Sequence, residues 1–173
     1  MPLPRLVLIA AVCRNNVLAS HGKIPWHLPR DVAHFRARTA NRPLLLGRTT
    51  YEQMIGWFKP GQTPLVLTRK IGYAVPDGHT VASVAEALQW AAAQGVEELM
   101  VCGGGQIYRE SLPYADEIIL TRVEASLEGD VFFPALPAGE WIVVHEERFA
   151  ADADNNLPVT ICRILPRHRE GKG

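Results

Sequence analysis

The stretch Ile24-Pro25-Trp26-His27-Leu28-Pro29-Arg30-Asp31-Val32-Ala33-His34-Phe35 decides how the chain is read. Pro29 suits the first turn of a helix, where its missing N–H costs nothing, and residues 30–39 carry that helix onward. At helical spacing Leu28, Asp31, Val32 and Phe35 fall at i, i+3, i+4 and i+7 and line one face. Asp31 is the misfit on that face. Burial there raises the pKa of a carboxyl, and a raised carboxyl holds or relays a proton near neutral pH. The spacing also admits a plainer role, because the helix dipole favours acids in a first turn and Asp31 can stay solvated there.

Outward from this helix, apolar runs of strand length recur at residues 6–12, 43–46, 65–67, 99–102 and 117–120, bounded by turn residues. Helical patterns lie between several of them, at 31–39, 49–54, 84–94 and 106–112. This alternation predicts βαβ units and a largely parallel sheet with helices on its faces. The end of the chain differs. Residues 142–149 and 159–165, separated by Ala-Asp-Ala-Asp-Asn-Asn, predict two long strands that close the sheet antiparallel. No repeat, low-complexity tract or linker divides the 173 residues, so a single α/β domain is expected, with 166–173 as a frayed tail.

Composition narrows the function. A content of 47% hydrophobic residues is enough for one sizeable core, and 18 basic against 18 acidic residues leave no global field for nucleic acid or an anionic membrane. The three cysteines, Cys13, Cys102 and Cys162, are odd in number and lack metal-ligand spacing, which points to a reducing cytosol and to no metal. The run after Arg5 that ends at Cys13 imitates a secretory or lipoprotein signal. It is short, only one basic residue precedes it and Val12 is not small, so a buried first strand explains it better. No stretch approaches the roughly 20 apolar residues that span a bilayer.

Two strand-to-helix turns have phosphate chemistry open to them. In Leu45-Leu46-Gly47-Arg48-Thr49-Thr50 the glycine permits close backbone approach, the helix start offers unpaired N–H groups, and Arg48 adds a fixed charge. Val101-Cys102-Gly103-Gly104-Gly105-Gln106-Ile107-Tyr108 repeats the arrangement. Either turn serves equally as a tight bend or a packing contact, and the second is not the GxGxxG fingerprint. The polar segment at residues 14–23 joins the first strand to the Trp26/Asp31 region and reads as a lid loop.

Pro25-Trp26, Leu28-Pro29-Arg30-Asp31, Phe35, residues 46–52 and the triple glycine resemble dihydrofolate reductase of the bacterial single-chain type, in the family's order and over residues 6–165. The resemblance implies a mixed, mostly parallel eight-stranded sheet with an antiparallel C-terminal strand pair, flanked by about four helices. It implies NADPH-dependent reduction of dihydrofolate to tetrahydrofolate in one-carbon metabolism, by a cytoplasmic monomer open to antifolate inhibitors. Asp31, Trp26 and Thr121 are then the catalytic group. Ile9, Ala10, Ala11, Val32, Phe35, Met54 and Ile55 surround the pterin, although core packing explains any one of them alone. Cys102 borders both rings, and Ala11, Ala19 and Ile24 meet the nicotinamide side. Arg48 and Arg69, with Leu67 and Thr68, gather at the 2′-phosphate, while Thr49, Thr50, Gly104, Gly105 and Gln106 meet the pyrophosphate between Gly47 and Gly103. Ile107 and Tyr108 complete the cofactor side.

The pattern breaks after Pro60-Gly61, where the family carries an arginine for the carboxylate of the glutamate tail and this chain has Gln62. Lys59 or Arg36 is left to supply the charge. Ala19 stands where glycine is usual, and Cys102 where a β-branched residue is common. Two other readings remain open: a related reductase of a pterin without the tail, and a non-catalytic folate- or nucleotide-binding module.

Overall fold

Every residue of the run 6–9 is apolar because its strand is covered on both sides. In the computed structural model, which describes residues 2–19 and 26–167 (Ala19 by its backbone alone), β1 (Arg5–Cys13) lies inside the sheet. Its alternate residues feed two cores. Leu6, Leu8, Ala10 and Val12 enter one, and Val7 and Ile9 enter the other. A strand buried on both faces reads as continuous rather than alternating hydrophobicity.

The remaining strands are β2 (Val17–Ala19), β3 (Leu44–Gly47), β4 (Pro64–Leu67), β5 (His79–Val81), β6 (Glu98–Gly103), β7 (Glu117–Val123), β8 (Val131–Phe132), β9 (Trp141–Phe149) and β10 (Val159–Pro166). The main sheet is eight-stranded in the order β5-β4-β3-β6-β1-β7-β10-β9. Pairing is parallel from β5 to β7, and β10 runs antiparallel to both β7 and β9. The helices are α1 (Pro29–Thr39), α2 (Arg48–Gln53), α3 (Val84–Ala93) and α4 (Gly105–Ser111). Phe35 of α1 and Tyr51 of α2 pack on the Val7/Ile9 face, while Val84, Ala87, Leu88 and Ala91 of α3 and Ile107 and Tyr108 of α4 pack on the other. Ser83 caps α3, its hydroxyl accepting from the Glu86 N–H at 3.0 Å.

The predicted parallel sheet, antiparallel closure and four helices are all present. The strand of the main sheet absent from the sequence pattern is β5, an edge strand of three residues of which only Val81 is buried. Two further differences concern the ends of elements. The polar segment 14–23 is not loop throughout, because Val17 is buried and β2 pairs antiparallel with β8. Pro166, expected in the tail, completes β10, and the N–H of Arg167 donates to the Glu140 carbonyl. Among the described residues no helix is long and apolar enough to cross a membrane.

Candidate active site

Strand order turns back on itself between β3 and β6. The chain leaves β3 through α2 toward β4 on one side, and leaves β6 through α4 toward β7 on the other, with the two helices on opposite faces. A crevice forms at such a switch point beyond the carboxyl ends of the strands. Its two walls touch closely. A Cβ on Gly104 would lie 3.4 Å from Thr50 Oγ1, and one on Gly47 would lie 3.1 Å from Ile107 Cγ1. Gly47 and Gly104 precede α2 and α4 without any side-chain cap, which leaves first-turn N–H groups open to a ligand.

Glycine is required at the second turn for two reasons. Gly103 has φ of 112°, and a Cβ there would meet the Tyr108 ring at 3.2 Å. A Cβ on Gly105 would meet the Phe132 carbonyl oxygen at 2.9 Å. Arg48 and Arg69 are exposed and leave neighbouring strands, which the pairing of Gly47 with Leu67 holds side by side. Thr68 donates its N–H to the Val81 carbonyl, and its hydroxyl accepts from the Lys70 N–H at 3.1 Å. Thr49 and Gln106 are exposed at their helix starts, whereas Ile107 and Tyr108 turn into the core. Tyr108 is anchored there, its hydroxyl donating to the Ile9 carbonyl at 2.7 Å.

The acid lies beside this crevice. β1 and β7 set Ala11 opposite Thr121, and the buried Thr121 hydroxyl donates to the Asp31 carboxylate. Burial pushes the Asp31 carboxyl above its ordinary value; the Thr121 hydrogen bond and the nearby His34 oppose the rise without cancelling it. Burial in turn pushes His34 down, against the pull of Asp31, so its imidazole is neutral at pH 7. His34 stands one turn beyond Asp31 and its buried Nε2 has no hydrogen-bond partner.

Around Asp31, Phe35 packs on Trp57 with centroids 5.2 Å apart, and Met54 joins the same core as Ile9 and Cys102. Val32 and Ile55 are apolar and 49% and 64% exposed. Trp26 packs with Leu28, Val123 and Val159 at the foot of α1. Burial pushes the Cys102 thiol up, and all three cysteines are free and buried. Ala10, placed with Ile9 and Ala11 around the pterin by the resemblance, turns its side chain into the opposite core, as strand alternation demands. Ile24 falls outside the described residues, and of Ala19 only the backbone is described, in β2.

The sequence reading missed Asn155. Leu28 cannot cap α1 by its side chain, and Asn155 does so from the β9–β10 connection, its Oδ1 accepting from the Arg30 N–H at 3.0 Å. Asp152 Oδ1 holds Asn155 through that residue's side-chain and backbone N–H groups and also accepts from the Asp154 N–H. These bonds, joined by Arg30, bring the Asp152 carboxyl down to about 2. Only the Asx-rich composition marked this connection, as a turn.

Residues 5–165 match the family model described as dihydrofolate reductase. The chain is 36% identical over 162 residues to dihydrofolate reductase of Haemophilus influenzae, covering 91% of this chain and 94% of that one. It is 37% identical over 137 residues to the Neisseria meningitidis serogroup A enzyme of that name, covering 79% and 83%, and 38% identical over 149 residues to dihydrofolate reductase type 3 of Salmonella typhimurium, covering 86% and 90%. The solved structure of dihydrofolate reductase from Enterococcus faecalis complexed with NADP(H) and RAB-propyl superposes with a TM-score of 0.86 at 30% identity, covering 94% of this chain and 96% of that one.

Proposed function

The chain belongs to the dihydrofolate reductase family, and we propose that it reduces 7,8-dihydrofolate to 5,6,7,8-tetrahydrofolate with NADPH, serving one-carbon metabolism. The observation that carries this reading is the half-buried carboxyl of Asp31, raised by its surroundings, bonded to Thr121 and set beside the switch-point crevice. A site for pure binding has no use for a carboxyl whose pKa is raised above its ordinary value.

The bare backbone around Gly103 to Gly105 and the uncapped first turns of α2 and α4 fit a pyrophosphate, and Arg48 and Arg69 fit a 2′-phosphate. NADPH, when bound, supplies the hydride that C6 of the pterin receives. The protein holds the pterin flat between Phe35 and the Ile9 side of the sheet and keeps water from the reacting face. Asp31 binds the exocyclic amino group and N3, and Thr121 holds the carboxyl in place. The carboxyl then favours delivery of a solvent proton to N5 through water, so that the C6=N5 double bond gains hydride at one atom and proton at the other. Antifolates that carry the same polar edge compete for Asp31.

NADPH oxidation at neutral pH, followed with and without dihydrofolate, tests the reading. Oxidation is expected only with dihydrofolate present. NADPH binding with no oxidation would instead establish the non-catalytic module.

A further inference from the structure

On the face of the sheet opposite Asp31, four strands carry charged side chains for which the proposed reaction has no use. Alternation along β7 turns Thr121 toward Asp31 and turns Leu120, Arg122 and Glu124 the other way. Strand pairing then lays a row across that face. Val12 of β1 stands beside Arg122, Arg122 beside Thr160 of β10, and Thr160 beside Arg148 of β9. Thr160 is 8% exposed, so two exposed arginines flank a buried hydroxyl. At about 4.8 Å per strand their Cα atoms stand about 10 Å apart.

This row is the floor of a cavity of about 350 Å³, whose walls include Arg14, Asn16, Glu124 and Glu146. Its size falls within the roughly 300–1,000 Å³ of small-molecule pockets. Backbone bonds hold the rim in place: the Arg14 N–H donates to the Ala125 carbonyl at 2.9 Å, and the Asn16 carbonyl accepts from the Phe133 N–H at 3.0 Å. Burial pushes up the thiol of Cys162, which lies opposite Glu146, and Arg122 and Arg148 oppose that rise, so both guanidinium charges lie over this face. Glu124 is turned to the floor, its Oε1 accepting from the Thr160 hydroxyl at 3.5 Å. Among the described residues none of the three guanidinium groups has an ion pair or a hydrogen bond.

We propose that this cavity binds the phosphate ester of a small hydroxylated molecule, with Arg122 and Arg148 on the phosphate, Arg14 as a third charge at the rim, and Glu146 accepting from the hydroxyls. A guanidinium keeps its charge and offers five donors in a fixed fork. A phosphate accepts such forks from more than one side, which suits arginines that approach from opposite ends of a row. The acids decide the rest of the ligand. Two carboxylates in the same walls repel a bare anion and are satisfied by a molecule that brings donors of its own.

Isothermal titration calorimetry of the full chain in low-salt buffer tests this, with ribose 5-phosphate, inorganic phosphate and ribose as probes. Ribose 5-phosphate is expected to bind about threefold or more tighter than inorganic phosphate, the size of one neutral hydrogen bond. Arg122→Gln and Arg148→Gln are each expected to weaken it about tenfold or more, the size of one charge-assisted contact. Arg69→Gln separates this cavity from the crevice and is expected to leave the affinity within about twofold. Should Arg122→Gln fail to fold, Arg122→Lys keeps a charge, loses the fork and is expected to weaken binding by a smaller factor. No heat with ribose 5-phosphate, an unchanged affinity in the folded Arg122 and Arg148 variants, or a loss that follows Arg69 instead overturns the assignment. Equal affinity for inorganic phosphate, or binding of ribose alone as tight as that of its phosphate, overturns the division of the ligand between arginines and acid.

Discussion

The two ends of α1 are built around half-buried carboxylates on opposite terms. At the N-terminal end Asp31 has a hydroxyl partner, Thr121, and burial raises it. At the C-terminal end Glu98 is shielded to a similar purpose but faces cations. Arg38 of α1 donates to it at 3.3 Å, Arg42 at 2.8 Å and Arg5 at 3.0 Å. Burial by itself would raise Glu98; the hydrogen bonds and charges of Arg38 and Arg42 outweigh it and hold the group below its ordinary value. Beside it Glu117, with no exposed surface, takes Arg5, Arg38 and Arg163. One helix thus joins a carboxyl held above its ordinary value to one held below it, and the supply of countercharge at Glu98 reverses the effect of burial there.

The largest expected effect comes from neutralising the first end. Asp31→Asn should lower turnover at neutral pH by roughly 10²–10⁴-fold. The loss should shrink toward acid pH, where solvent protonates the substrate directly. Stability should move the other way. The Asp31 pKa is raised in the folded chain above its unfolded value, so its stabilising contribution is present below the unfolded value and is lost as pH rises through the folded one. Above both, the charged carboxylate is a cost, and the Asn variant should unfold at higher urea than the native chain at pH 7. Unchanged turnover at neutral pH would remove Asp31 from the chemistry. A lower urea midpoint would mean that the ends of α1 do not differ as described.

How much of this contrast was legible in the sequence follows from the range of each interaction. Asp31 stood out because its neighbours on the helix face lie within one or two turns. The sheet was legible because strands buried on both sides betray themselves locally, while β5, β2 and β8 were hidden by lengths of two or three residues. Strict alternation along β1 would have separated Ala10 from Ile9, and the resemblance alone placed both in the pocket. The break at Gln62 was visible, but its hydrogen bond to Thr39 was not, because that partner is 23 residues away. The Glu117 network spans up to 112 positions and leaves no local pattern at all.

The second end breaks in the opposite direction. Glu117→Gln should cost stability and leave turnover unchanged, because the residue lies at the entry end of β7, away from the crevice at the strands' carboxyl ends. Removing a buried acid from a closed pair costs roughly 3–5 kcal/mol. Here Arg5 and Arg163 are about half exposed, at 48% and 50%, and regain water when released, so a loss of about 2 kcal/mol is expected. Urea unfolding alongside steady-state turnover reads both quantities. A matching fall in turnover per folded molecule would show that the network acts on the site through α1 rather than only holding the helix down.

The smallest effect sharpens the comparison from the active end, where an amide cap backed by the Arg30–Asp152 ion pair holds the start of α1. Asn155 reaches across 125 positions to cap the Arg30 N–H, next to the acid, and is itself held by Asp152. Asn155→Ala removes the cap, and the expected cost is about 1 kcal/mol, the usual loss of an N-cap. The cost should fall on catalysis as well, because the freed first turn carries Asp31. A modest fall in turnover is expected, together with a lower midpoint in its pH profile as Asp31 gains access to water and its pKa relaxes toward the ordinary value. A stability loss with an unmoved pH midpoint would make Asn155 a brace for the helix alone. A moved midpoint would show that the long reach of the β9–β10 connection keeps Asp31 dry.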